Sequence, residues 1–204
     1  SAASDVYKRQ IIQPINEDDD LDVDLVFRLR EKKFSWTQKD IKSKVGLRLK
    51  DHGRYHDMLD EEGRRCWTLL YRQESDNFKE RYHMDILPCV VDADYEARFQ
   101  RMMSSAYSFD GIQNLAIRIT DKRIPAYDTC TDIKQWLKSN PDGYAIWFAS
   151  RCRASGEQHS SIMASIMPIG QYTEHKSILQ RIVQLLKRHR DIMFNGDDDK
   201  LSLI

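Results

Sequence analysis

Residues Leu21–Leu29 read LDVDLVFRL, so that Leu21, Val23, Leu25, Phe27 and Leu29 alternate with Asp22, Asp24, Val26 and Arg28. Alternation with period two marks a strand with one buried face. It places Asp22 and Asp24 side by side on the face opposite Leu21, Val23 and Leu25. After this strand, Ser35-Trp36-Thr37 opens a polar helix in which Trp36, Ile41, Val45 and Leu49 are spaced to meet the core, with lysines between them. Gly53 and Gly63 punctuate a charged connection, and Arg65–Tyr71 (RCWTLLY) and Tyr82–Val91 (YHMDILPCVV) read as two further strands. Pro88 is expected to end regular pairing in the second of these.

Further along, Asp92–Ser104 reads as a charged helix and Ile112–Thr120 (IQNLAIRIT) as a strand. Asn140 followed by Pro141 is an N-cap with proline at the first helical position, predicting a helix that buries Tyr144, Trp147 and Phe148 and ends near Gly156. Glu157–Gly170 has no clean period and reads as a loop. Ser177-Ile178-Leu179-Gln180 is a capping box, and the helix it starts runs to about Phe194, before Asn195-Gly196. Strands gather in the first two-thirds and helices in the last third, which is the pattern of an α+β fold.

The chain has 204 residues, 32 Lys+Arg against 32 Asp+Glu, 41% hydrophobic and 31% charged residues. That balance supports a folded core and argues against wholesale disorder. Zero net charge argues against a domain that holds long nucleic acid mainly by electrostatics. No stretch approaches the roughly 18 apolar residues of a membrane span, and no apolar secretory segment opens the chain, so a cytoplasmic location is expected. Cys66, Cys89, Cys130 and Cys152 show no CxxC and no zinc-ligand spacing, and read as reduced thiols.

In YHMDILP, Asp85 shares a strand face with His83 and Leu87, while Met84 and Ile86 point the other way. Pairing of that strand with Leu21–Leu29 would bring a third carboxylate to Asp22 and Asp24. At about 4 Å and an effective dielectric of about 20, each like-charge pair costs on the order of 4 kcal/mol, so such a cluster calls for cations. Two Mg²⁺ ions, or Mn²⁺, would neutralise it and clamp the attacking and leaving oxygens of a phosphoryl transfer. Three other readings compete: an acidic turn feeding a strand, a calcium loop and the DxD of a sugar-nucleotide glycosyltransferase. The calcium loop has Asp18, Asp20 and Asp22 in place, but Val23 stands where Gly is required and Leu29 where Glu is required.

With these residues in place, the sequence resembles nucleotidyltransferases of the DNA polymerase β type, and more narrowly the CD-NTases, bacterial relatives of cyclic GMP-AMP synthase. The matching stretches are DLDVDLVFRL (Asp20–Leu29), RRCWTLLY (Arg64–Tyr71), YHMDILPCV (Tyr82–Val90), SNPDGYAIWFASR (Ser139–Arg151) and ILQRIVQLLKRHRD (Ile178–Asp191). The resemblance implies a polymerase β-like mixed sheet with flanking helices and an incomplete C-terminal helical lobe. It implies that Asp22 and Asp24 are the first two metal ligands, and that Asp85 is the third and activates the attacking ribose hydroxyl. It further implies nucleoside triphosphate substrates and a cyclic oligonucleotide product that switches on an effector in anti-phage defence, with regulatory protein partners. The family's Gly-Ser donor turn, which precedes DxD, is absent here.

The ends read as foreign. Tyr7-Lys8-Arg9-Gln10 can be encoded by TAT AAG AGA CAG, whose reverse complement encodes the closing Leu201-Ser202-Leu203-Ile204, like the inverted ends of a sequencing adapter. Residues 1–10 and 201–204 are therefore expected to be adapter-derived. Residues 11–135 are expected to form the catalytic core and 136–200 the start of the helical lobe.

On a helical wheel from Ile178, the residues Ile178, Ile182, Leu185, His189 and Met193 form one arc, which predicts His189 in the apolar face. Lys187 and Arg190 lie on the flank of Val183, at the margin of an expected cleft. Lys187 is the candidate triphosphate contact with Arg190 beside it, against the reading that KRHR only complements the helix dipole. Arg188 is expected in solvent. Trp67, Tyr71, Trp136, Tyr144 and Trp147 are the aromatics available to stack on a base. His83 either lines the metal site or ends a strand, and Cys66 and Cys89 read as packing residues. Two further functional readings are a transferase making a linear oligonucleotide and an inactive nucleotide-binding domain.

Overall fold

The alternation in Leu21–Leu29 becomes strand β1 with those limits. In chain order there follow α1 (Gln38–Lys50), α2 (Gly53–His56), β2 (Leu59–Glu62), β3 (Trp67–Tyr71), β4 (Tyr82–Val90), α3 (Tyr95–Ser104), β5 (Ile117–Ile119), β6 (Leu137–Ser139), α4 (Pro141–Arg153) and α5 (Ile178–Met193). The structure is a computed structural model and describes residues 12, 14–16, 21–91, 94–104, 112–153 and 177–195. The expectations for Asp18 to Asp20, Glu157–Gly170, Gly196 and the two chain ends lie outside these residues. No helix among the described residues is long and apolar enough to cross a membrane.

The fold is α+β, and its centre is β4. Along one edge β4 pairs in parallel with β1 over its whole length. Along the other it pairs antiparallel with β3 at Tyr82 to Ile86 and with β5 at Cys89 and Val90. Strands β2 and β6 extend the sheet from β3 and β5. Pro88 does not end the pairing, because it falls between the segment held by β3 and the segment held by β5, where a missing N–H disturbs the ladder least.

The two faces of the sheet are covered differently. Thr37 caps α1 in a capping box with Asp40, and α1 lays Val45 and Leu49 on Trp67, Leu69 and Ile86. Ile41 packs with Val90 and Trp136 on the same side. The opposite face carries Cys89 and Val91 of the β4 region, Ile117 and Ile119 of β5, Tyr95 of α3 and Ile146 of α4. Gly46 lets α1 approach closely: a Cβ there would lie 2.1 Å from Cζ2 of Trp67, whose indole N–H donates to the Lys42 carbonyl at 2.8 Å. Lys42, one of the lysines between the core-facing residues of this helix, is fully buried, with its ammonium donating to the Gly63 carbonyl and 3.4 Å from Glu62.

Five further expectations are corrected. The segment Ile112–Thr120 is a 3-10 turn at Ile112–Leu115 followed by the short β5, because Leu115 drops into the core and Arg98 Nε donates to the Asn114 carbonyl. Leu25 and Phe27 are 44% and 45% exposed, because α1 covers β3 and β4, and the Ile41 cluster meets the outer strand at Leu29, leaving these two side chains bare. On α4, capped by Asn140 as expected, Ala145, Ile146 and Phe148 are buried while Trp147 is 41% exposed. On α5 the capping box of Ser177 and Gln180 forms, but the stripe that meets the protein is the polar one, containing the buried Gln180 and Lys187. Ile178, Ile182, Leu185, His189 and Met193 are exposed, so His189 is not a core histidine. Arg188, expected in solvent, is half-buried.

A buried carboxylate ties α1 to the sheet. Asp121 is fully buried just beyond β5 and accepts from Arg64 Nε and Nη2 at 2.7 Å each, Arg65 Nε at 2.8 Å and the Arg123 N–H at 2.9 Å. Its own N–H donates to Gln38 Oε1 of α1 at 2.9 Å. Burial pushes this carboxyl up, and the hydrogen bonds from Arg64, Arg123 and Arg65 outweigh it and hold the group well below the usual carboxylate range. A depressed folded pKa stabilises in full above the unfolded carboxylate value of about 3.9, and the contribution is lost as pH falls through the folded value. Asp121→Asn should therefore lower the thermal midpoint at pH 7 and flatten its fall below about pH 4, as read by circular dichroism. Gly46→Ala should cost about 1–3 kcal/mol in urea unfolding, since the new methyl overlaps the Trp67 ring.

Candidate active site

The parallel register aligns Asp22 with His83 and Asp24 with Asp85, and the β3 register sets Thr68 against Asp85 from the other side. With side chains alternating along each strand, Asp22, Asp24, His83, Asp85, Thr68 and Cys66 come to one face of the sheet. Among the described residues this is the one group of three or more His, Cys, Asp or Glu side chains, namely Asp22, Asp24 and Asp85, whose ligand atoms all lie within 4.8 Å of one another. All three are partly buried. The same face continues along β1 into Val26 and Arg28, which run beneath α3 and α4.

Neighbouring groups hold the carboxylates in place. Thr68 Oγ1 donates to Asp85 Oδ1 at 2.5 Å. His83 Nε2 lies 3.2 Å from Asp22 Oδ1, a buried oxygen that accepts no hydrogen bond of good geometry. Arg28 reaches Asp142 at the start of α4 at 2.5 Å, and the Tyr95 hydroxyl donates to the same carboxylate oxygen. The Arg28 guanidinium also lies 5.3 Å above the Tyr95 ring, so β1 is pinned to α3 and α4 four residues beyond Asp24. Burial first, and then the negative charges of Asp85 and Asp24, push the Cys66 thiol up to about 12.

The donor set fits Mg²⁺ or Mn²⁺. It is made of carboxylate oxygens alone, which hard divalent cations prefer, and Asp22 contributes a buried oxygen with no donated proton. Asp22, Asp24 and Asp85 are the residues that would hold such ions. Like charges at this spacing repel, and a bound divalent ion removes the repulsion.

The two basic candidates on α5 have different surroundings. Lys187 is buried, at 8% exposure, on the side of α5 turned toward the protein. Arg190 donates from Nε and Nη2 to Asp191 Oδ1 at 2.9 and 2.5 Å. Of the aromatic candidates, Trp67 and Trp136 are core, Tyr71 stacks on Tyr82 with ring centroids 4.5 Å apart, and Trp147 is the exposed one, 5.3 Å from Tyr144. Sequence reasoning passed over Thr68 and Arg28. The signal for Arg28 was present, as a charged side chain on the same strand face as Asp22 and Asp24. The signal for Thr68 lay in the β3 register, which one strand's pattern does not carry.

No family model and no solved structure matches the chain. A curated protein of Roseivirga ehrenbergii named c-di-GMP synthase is similar to it, at 26% identity over 184 residues, 88% of this chain and 39% of that protein. The chain thus spans about two-fifths of the length of the relative it matches.

The carboxylate cluster predicts a trade between stability and metal uptake. In the metal-free chain, Asp24→Asn should raise the thermal midpoint by a few degrees, since it removes a repulsion of about 1 kcal/mol per pair in the water-like dielectric of this partly exposed face. The same change should abolish any rise in midpoint that millimolar Mg²⁺ gives the unaltered chain, as read by thermal shift.

Proposed function

We propose that this chain carries the catalytic core of a divalent-metal-dependent nucleotidyltransferase of the polymerase β type, similar to the CD-NTases, which joins nucleoside triphosphates into a cyclic dinucleotide. The observation that carries the reading is the convergence of Asp22, Asp24 and Asp85 from two parallel strands into one oxygen cluster. The similarity to a protein named c-di-GMP synthase supports guanosine triphosphate as a substrate and a cyclic dinucleotide as the product. A signalling role in anti-phage defence is part of the same proposal.

In this reading a ribose hydroxyl of one nucleotide attacks the α-phosphorus of another. The new P–O bond forms as the bond to the bridging oxygen of the β-phosphate breaks, and pyrophosphate leaves. Bound Mg²⁺ or Mn²⁺ supplies charge neutralisation and polarisation of the phosphoryl oxygens. Asp22 and Asp24 hold the site together on β1, and a carboxylate oxygen of Asp85 takes the hydroxyl proton. The β1–β4 pairing sets the backbone positions of the three aspartates before substrate arrives, which reduces the reorganisation required during the reaction. The triphosphate's charge is assigned to the basic run of α5, with Lys187 ahead of Arg190, whose guanidinium is already engaged by Asp191.

The test uses protein expressed from the full reading frame that encodes this chain, incubated with GTP, ATP and Mg²⁺. The expected result is pyrophosphate release with a product that survives phosphatase, and a loss of about 10²–10⁴-fold in rate for Asp85→Asn. A linear product would lose its terminal phosphates to phosphatase and be degraded by exonuclease. Equal release by Asp85→Asn and the unaltered protein would overturn the assignment of Asp85.

A further inference from the structure

Asp85 stands between two strands. On the β1 side its neighbour is Asp24, a like charge. On the β3 side its neighbour is Thr68, whose hydroxyl donates to Asp85 Oδ1 at 2.5 Å. A carboxylate at the end of an aspartate side chain turns readily about its last bond, because that torsion is broad rather than three-welled. Repulsion from Asp22 and Asp24 would turn it away from the cluster. A short hydrogen bond to one oxygen from the opposite side fixes the plane of the group and leaves the other oxygen for its chemistry.

The donor is itself well placed. Thr68 is half-buried as the second residue of β3, and its branched Cβ restricts the first side-chain torsion, so the hydroxyl is aimed by the strand rather than by chance. Its one O–H is committed to Asp85, which leaves it no proton to give a phosphate. The flanking residues on that face, Cys66 and Leu70, offer no equivalent donor: one is a thiol and weak donor, the other apolar.

We infer that Thr68 is the positioning residue of this site, acting through Asp85 to hold its carboxylate in the orientation that completes the cation cluster. The inference rests on the metal-dependent reading proposed above. Thr68 touches the carboxylate and acts on cation and substrate through it.

The test compares the unaltered chain with Thr68→Val, which keeps the branched shape and removes the hydroxyl, and Thr68→Ser, which keeps the hydroxyl. Mn²⁺ binding is measured directly by the electron paramagnetic resonance signal of free Mn²⁺, and kcat and KM for GTP in protein from the full reading frame. Thr68→Val should bind Mn²⁺ about 10- to 100-fold more weakly, as removal of a residue that orients a ligand does. Its kcat should fall with little change in KM, and its thermal midpoint should stay within a few degrees of the unaltered protein. Thr68→Ser should recover most of the loss. Unchanged Mn²⁺ affinity and kcat in Thr68→Val would overturn the inference while leaving the metal site standing. Equal impairment of Thr68→Ser and Thr68→Val would overturn it in favour of a packing role. Absence of Mn²⁺ uptake by the unaltered chain would overturn the metal-dependent reading and this inference together.

Discussion

Everything at the site depends on the parallel pairing of β1 with β4 in the register that sets Asp24 beside Asp85. Side chains alternate with period two, so a slip of one residue would send Asp22 and Asp24 to the α1 side of the sheet and bring Val23 and Leu25 to the face of Asp85. The register is held at the far end of the strands. Arg28 is anchored by Asp142, Asp142 by Tyr95, and the Val91 N–H donates to the Leu29 carbonyl at 3.1 Å. The acidic end is tied by the Thr68 hydroxyl, which donates to Asp85. Its carboxylates repel one another, and the apolar packing on both faces of β3, β4 and β5 offsets that repulsion.

The strands thus have an apolar, covered end and an acidic end. The covered end lies beneath α3 and α4, where Cys89, Ile117 and Ile119 are buried. The acidic end carries the cluster on the same face, where the Asp22 side chain is 42% exposed. On the opposite face Leu25 and Phe27 lie outside the reach of α1, and on α5 the apolar arc from Ile178 to Met193 faces outward among the described residues. The buried Lys187 is therefore the side of α5 turned toward the protein, the reverse of the usual amphipathic arrangement.

How much of this was legible in the sequence follows from what each signal encodes. The limits of β1, the start of α4 at Asn140 and the capping box at Ser177 rest on local chemistry, and the structure repeats them. The carboxylate faces were legible for the same reason, since alternation along one strand settles which residues share a side. Register between strands is not a local property, so the Thr68 partner of Asp85 was out of reach, and Pro88 was judged without knowing that β3 stops before it and β5 begins after it. Burial is not local either. Leu25, Phe27, Trp147 and the α5 arc were read as inward because they are apolar, and the coverage of neighbouring elements decided otherwise.

The most direct test of the central claim is anomalous scattering from crystals of the protein grown with Mn²⁺ and a non-hydrolysable GTP analogue. The account predicts Mn²⁺ peaks bounded by the carboxylates of Asp22, Asp24 and Asp85, with the triphosphate of the analogue bound against them. Full nucleotide occupancy with no anomalous peak between these three residues would contradict it.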